Sequence, residues 1–185
     1  MTPKRPEELR KRVKLLTRLF VFGLVVSSAT AIPLEAELGW LAQIVGVSSA
    51  TRVPWDAGLH GWIWQIWMGL RETNTHYPFL AYGTDWLAFG HFVIAIAFVG
   101  ALRDPVRNAW LFDFGLIACA LVMPYALIFG GVRGIPIWWR LIDCSFGVLG
   151  AIPRWLCRQW TFELATREET ALPSVTAPQQ RLKTT

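Results

Sequence analysis

Four long apolar runs separated by polar, turn-rich stretches leave this chain few ways to fold: Leu15–Ile32, Asp85–Leu102, Ala109–Phe129 and Gly134–Cys157. A hydrocarbon core of about 30 Å needs roughly 20 mostly apolar residues in helix, and each run approaches or exceeds that. In lipid every backbone N–H and C=O must find a partner within the protein, which favours helix for each run. The expectation is an all-α integral membrane protein, a four-transmembrane-helix bundle. One alternative concerns the first run. Basic residues, then Leu19–Val26, then Ala29-Thr30-Ala31 also have the shape of a cleaved signal peptide, which would leave three spans. The long leading region with Glu7 and Glu8, and Arg18 beside the apolar stretch, favour a retained helix.

Composition agrees with a membrane bundle. Of 185 residues 54% are apolar and only 17% charged, against about 45–50% and 25% for ordinary soluble domains. A single bundle with short tails fits, and no room remains for a second soluble domain. The net charge of +5 does not indicate nucleic acid, because the basic residues gather in tails beside apolar runs and no groove-reading or base-stacking module accompanies them. No nucleotide, phosphate or hydrolase motif is present. The cysteines Cys119, Cys144 and Cys157 include no CxxC, and free cysteine packs as a small hydrophobe.

Charge sets the threading. With the N-terminus inside, fourteen of the 18 Lys and Arg residues fall on the cytoplasmic side, leaving Arg52, Arg71, Arg133 and Arg140 outside. This asymmetry is what the positive-inside rule requires. The expected order is a basic tail at 1–14, a first span at 15–32, an external segment at 33–84, a three-helix core at 85–157, and a cytoplasmic, mostly disordered tail at 158–185. Both termini lie inside a bacterial-type inner membrane, and Met1–Glu8 is expected to be loose.

The external segment is too long for a plain connection and too apolar to be simply solvated. Glu35–Gly46 has apolar residues at helical spacing, and Trp55, Trp62, Trp64 and Trp67 crowd the stretch Trp55–Leu70. Tryptophan favours the headgroup level, so two short interfacial helices on the external side are expected. These tryptophans either anchor the chain in the bilayer or dock a partner.

Ionisable groups at membrane depth are costly and usually face a bundle interior or a wet cavity. Here they are His91, Asp113, Arg140 and Asp143. Counting back from the turns near Pro105 and Val132 places His91, Cys119, Asp143 and Cys144 in one layer, with Cys119 level with about Ser145. Small residues at helical spacing make three faces that can approach closely: one around His91, one at Gly115, Ala118, Cys119, Val122 and Ala126, and one at Arg140, Asp143, Cys144, Gly147 and Ala151. Asp113 lies off this layer, with Arg107 or Arg154 as partner.

The layer has three readings. In the plainest, Arg140 pairs with Asp143 one turn on and the thiols are spectators. In the second, His91, Arg140 and Asp143 form a proton- or cation-responsive site. In the third, His91, Cys119 and Cys144, with or without Asp143, hold zinc or copper. A site combining His60 and His76 with Asp85 is a fourth, weaker option. Pro124 interrupts the helix of the third run, Pro136 opens the fourth, and Pro105 and Pro153 sit at helix ends.

The reading this supports is a small polytopic inner-membrane protein, more non-enzymatic than enzymatic, acting as a subunit or accessory factor. Its neighbours are the lipid bilayer and a membrane-protein partner or further copies of itself. The alternatives are a membrane redox or metal-binding protein and an oligomeric proton or ion pathway.

Overall fold

The computed structural model describes residues 5–50, 52–54 and 56–171. Among them the regular structure is helical, with no strand: α1 (Pro6–Ala31), α2 (Leu34–Ile44), α3 (Gly58–His76), a 3₁₀ turn at Pro78–Ala81, α4 (Tyr82–Arg103), α5 (Trp110–Val132) and α6 (Ile137–Ala171). Three stretches are long and apolar enough to cross a membrane, namely Pro6–Ala31, Pro78–Arg103 and Trp110–Val132.

The helices pack as two units, one comprising the residues up to Arg18 and from Gly100 onward, the other Leu19–Val99. In the first unit α5 and α6 lie antiparallel against each other. Their connection is set by backbone chemistry. Gly134 takes φ +69°, the left-handed conformation that favours glycine. The Gly134 N–H then donates to the Gly131 carbonyl at 3.1 Å and the Ile135 N–H to the Gly130 carbonyl at 2.9 Å. Those paired bonds are a Schellman motif, and Pro136, which cannot continue the helix, follows at once. The turn ahead of α5 is held differently. Asp104 Oδ1 accepts from the N–H groups of Val106 and Arg107, each at 3.1 Å, while the Asn108 amide donates to the carbonyls of Gly100 and Asp104 at 3.1 and 2.9 Å.

The same unit holds a helix pair that extends beyond the apolar runs. Leu9, Val13 and Thr17 of α1 and Cys157, Thr161 and Leu164 of α6 are all buried. Both sets recur every three or four residues, which is one helical face. The Cys157 thiol approaches the Val13 carbonyl at 4.0 Å, Arg10 pairs with Glu168 at 2.5 Å, and the Arg12 guanidinium lies 5.9 Å from the Trp160 ring centre.

Two expectations about the tails are corrected here. The chain is helical from Pro6, with Glu7 and Glu8 in the first turn, where acidic side chains complement the helix dipole. It is also helical through Ala171, so 158–171 is not disordered. The apolar stripe of Cys157, Thr161 and Leu164 covering Leu9 and Val13, reinforced by Arg167–Glu163 at 2.5 Å one turn apart, accounts for the extension. Residues 172–185 lie outside the described residues, as do 1–4. Pro153 falls inside α6 rather than at its end, while Pro124 lies inside α5, which continues past it to Val132.

In the second unit α2 packs on α3 around Ala42, Val47 and Ile63, with Val45, Val53, Trp64 and Trp67 against them. Gly46, at φ +74°, ends α2 with another Schellman motif: Gly46 N–H to Gln43 and Val47 N–H to Ala42, at 3.1 and 2.7 Å. The apolar contact that usually accompanies this motif is present, since Val47 and Ala42 share the core. Phe20 and Phe98 meet edge-on with centroids 4.7 Å apart.

Candidate functional site

The polar residues expected to matter on α5 and α6 meet along the seam between those helices. At Gly147 α6 approaches the backbone of α5, since a Cβ there would lie 2.7 Å from the Cys119 carbonyl oxygen. Small residues permit this approach, and the two faces expected to meet do so here. Cys119 therefore lies opposite Gly147 rather than Ser145. The seam runs a little further along α6 because the turn lies beyond Val132, between the end of α5 and the start of α6 at Ile137. The buried Cys144 thiol points at the Met123 carbonyl, 3.9 Å away.

On either side of this crossing an arginine of α6 lies in a glycine notch of α5. Arg140 covers Gly130 and Gly131. A Cβ on Gly130 would stand 2.6 Å from its Cδ, and its Nη1 donates to the Leu127 carbonyl at 3.2 Å. Arg140 is therefore not paired with Asp143 as expected. The reason is geometric: the glycine notch admits its stem and a helix carbonyl lies within reach of its head. Arg154 covers Gly115 in the same way, with its Nη1 donating to the Gly150 carbonyl at 2.5 Å. One turn beyond, Arg158 forms an ion pair with Asp113. That corrects the expectation that Arg107 or Arg154 would serve Asp113, which held only while the end of α6 was read as a tail.

Asp143 is half-buried and takes part in no hydrogen bond or ion pair among the described residues. With Arg133, Tyr125 and Phe129 it lines an open, mainly apolar groove of about 670 Å³ beside the seam. His91, on α4, has its Nδ1 buried with no hydrogen-bond partner among the described residues. Among those residues no three His, Cys, Asp or Glu side chains gather as ion ligands would. The zinc or copper set of His91, Cys119 and Cys144 is not such a group, nor is that of His60, His76 and Asp85. The three thiols are free.

The tryptophans divide. Trp55 lies outside the described residues. Trp64 and Trp67 are half-buried against the α2–α3 core, and Trp62 is half-buried on α3. The Trp67 ring rests on Gly39, where a Cβ would lie 3.2 Å from its Nε1. The exposed tryptophan of this pair of helices is Trp40, at 70% exposure. It borders a cleft of about 570 Å³ that also takes in Glu35, Gln43, Trp67, Arg71 and Asn74. An aromatic run also leads into α4, with Tyr82 and Trp86 at 5.9 Å and Trp86 and Phe89 at 5.5 Å, all exposed.

The sequence reading missed the cleft. Its one available signal was Glu35 in the first turn of an amphipathic helix, and the pairing with Asn74, thirty-nine positions away, has no local signature. Comparison with protein-family models, curated proteins and solved structures finds no match.

Proposed function

We propose that the chain is a four-span protein of a bacterial-type inner membrane, with both termini cytoplasmic, acting as a non-enzymatic subunit or accessory factor of a membrane complex. The fourth span is the first part of α6. Its support is the antiparallel run of α6 beside α5, from Arg140 at Gly130 to Arg158 at Asp113, because a helix paired along the length of a crossing helix crosses with it. The neighbourhood of Arg10 and Glu168 supports placing the two ends on one side, as an even number of crossings requires. At roughly 52 Å for 35 residues, α6 exceeds the bilayer core, and its last turns extend into the cytoplasm beside the start of α1. The α2–α3 pair then lies outside, at the headgroup level, where exposed Trp40 suits it.

The observation that carries the functional reading is how the seam uses its polar groups. Arg140, Cys144 and Arg154 point to helix carbonyls of the hairpin, and Asp113 is neutralised by Arg158. These are the contacts of a scaffold, which favours an assembly role over redox chemistry or ion passage. Large apolar side chains such as Ile117, Leu121 and Phe146 remain exposed on the outer faces, available to lipid or a neighbouring membrane protein.

The test is native mass spectrometry of the protein released from its own membrane in mild detergent, alongside the C119S/C144S variant. The account expects a stoichiometric second polypeptide, retained by the variant. A protein that carries a metal lost on C119S/C144S, with no second polypeptide, would contradict it.

A further inference from the structure

Asp143 stands apart from the other polar groups of the α5–α6 seam. Arg140 and Arg154 reach helix carbonyls and Asp113 is paired with Arg158, whereas Asp143 meets no donor among the described residues. It is half-buried rather than sealed, and it lines the open groove of about 670 Å³ beside the seam. Six positions after Ile137, it lies about 9 Å along α6, within the span proposed above. A carboxylate at membrane depth is costly unless something pairs with it. The hairpin supplies nothing that does.

The groove has the form of a helix seat. Its α5 wall holds Ala118, Val122, Tyr125, Ala126 and Phe129, one face of the helix over about 16 Å. A groove along such a row accepts the side-chain ridge of another helix, and the two alanines let that helix come close. Tyr125 and Phe129 are 67% and 52% exposed, with ring centres 4.7 Å apart. Two aromatic rings and a carboxylate in one groove attract an ammonium or guanidinium group. Arg133, exposed at the end of α5 and lining the same groove, separates a free cation from a fixed one. It repels a cation entering from the external solution, whereas one carried on a helix within the bilayer arrives from the side.

We infer that this groove seats a transmembrane helix of the partner subunit, with a Lys or Arg of that helix paired to Asp143. The seat deepens the accessory-subunit reading above and rests on it, including the crossing of α6.

Site-specific crosslinking of the full chain in its own membrane tests the seat. A photoreactive diazirine side chain is placed at Leu121 in the groove or, in a second sample, at exposed Ile96 on α4. Leu121 is expected to crosslink to a membrane span of a second polypeptide that carries a Lys or Arg. The yield should fall about tenfold or more in Asp143→Asn and stay within about twofold in Asp143→Glu. It should return when Asp143→Lys is combined with Asp in place of the partner's basic residue. Asp143 bonds to nothing within the chain, so the variants are expected to keep the wild-type denaturation midpoint. A second polypeptide reached from Ile96 but not from Leu121 would overturn the seat and leave the accessory-subunit reading standing. No second polypeptide from either position, and none by native mass spectrometry, would remove both. Crosslinking at Leu121 to a span without a basic residue or to a second copy of this chain would overturn the pairing, as would a yield unchanged in Asp143→Asn.

Discussion

At Gly147 an added methyl group would press on backbone rather than on a movable side chain. Its Cβ would meet a backbone oxygen, that of Cys119 at 2.7 Å, and a helix backbone cannot rotate aside as a side chain does. Gly147→Ala is expected to cost about 1–3 kcal/mol, the usual range for overpacking, read as a lowered midpoint in a denaturant titration in detergent. Gly90→Ala is the internal control. Nothing lies within 4 Å of its Cβ, and removing a helix-interior glycine gains up to about 1 kcal/mol. Equal effects at the two positions would show that the α5–α6 seam is not packed as described. Gly46 poses a different constraint, because its φ of +74° penalises any side chain. Gly46→Ala is expected to lose about 1–2 kcal/mol through the α2–α3 pair, measured by hydrogen exchange across Leu34–Ile44.

Among the elements, α6 departs most from what its sequence suggests. Its first part was legible as a helix because the run Gly134–Cys157 is long and largely apolar. Its continuation to Ala171 was not, since Arg158–Ala171 is polar overall and only Thr161 and Leu164 in it mark a buried stripe. That stripe becomes visible once Leu9 and Val13 are known to lie against it, a contact across more than 140 positions. Leu164, 1% exposed, should accordingly behave as a core residue. Leu164→Ala is expected to cost about 2–5 kcal/mol, with faster tryptic cleavage after Arg167, whereas a disordered tail would show neither effect. The seam faces of α5 and α6 were legible from small residues at helical spacing. The preference of Arg140 for Leu127 over Asp143 was not, because sequence distance alone favours the i, i+3 acid and says nothing about the notch at Gly130.

The threading proposed for the chain rests on two independent lines: the gathering of basic residues in the tails and the Arg103–Asn108 turn, and the side-by-side placement of Arg10 with Glu168. Both ask for an even number of crossings. Single-cysteine labelling reads this out. In a background with Cys119, Cys144 and Cys157 changed to Ser, one cysteine is placed in turn at Lys11, Ser49, Arg107, Arg133 or Glu169, and intact cells or right-side-out vesicles meet a membrane-impermeant maleimide. Labelling is expected at positions 49 and 133 in sealed membranes, and at 11, 107 and 169 only after permeabilisation. Labelling of position 169 together with 133 in sealed membranes would mean that α6 does not cross, and would contradict the four-span account.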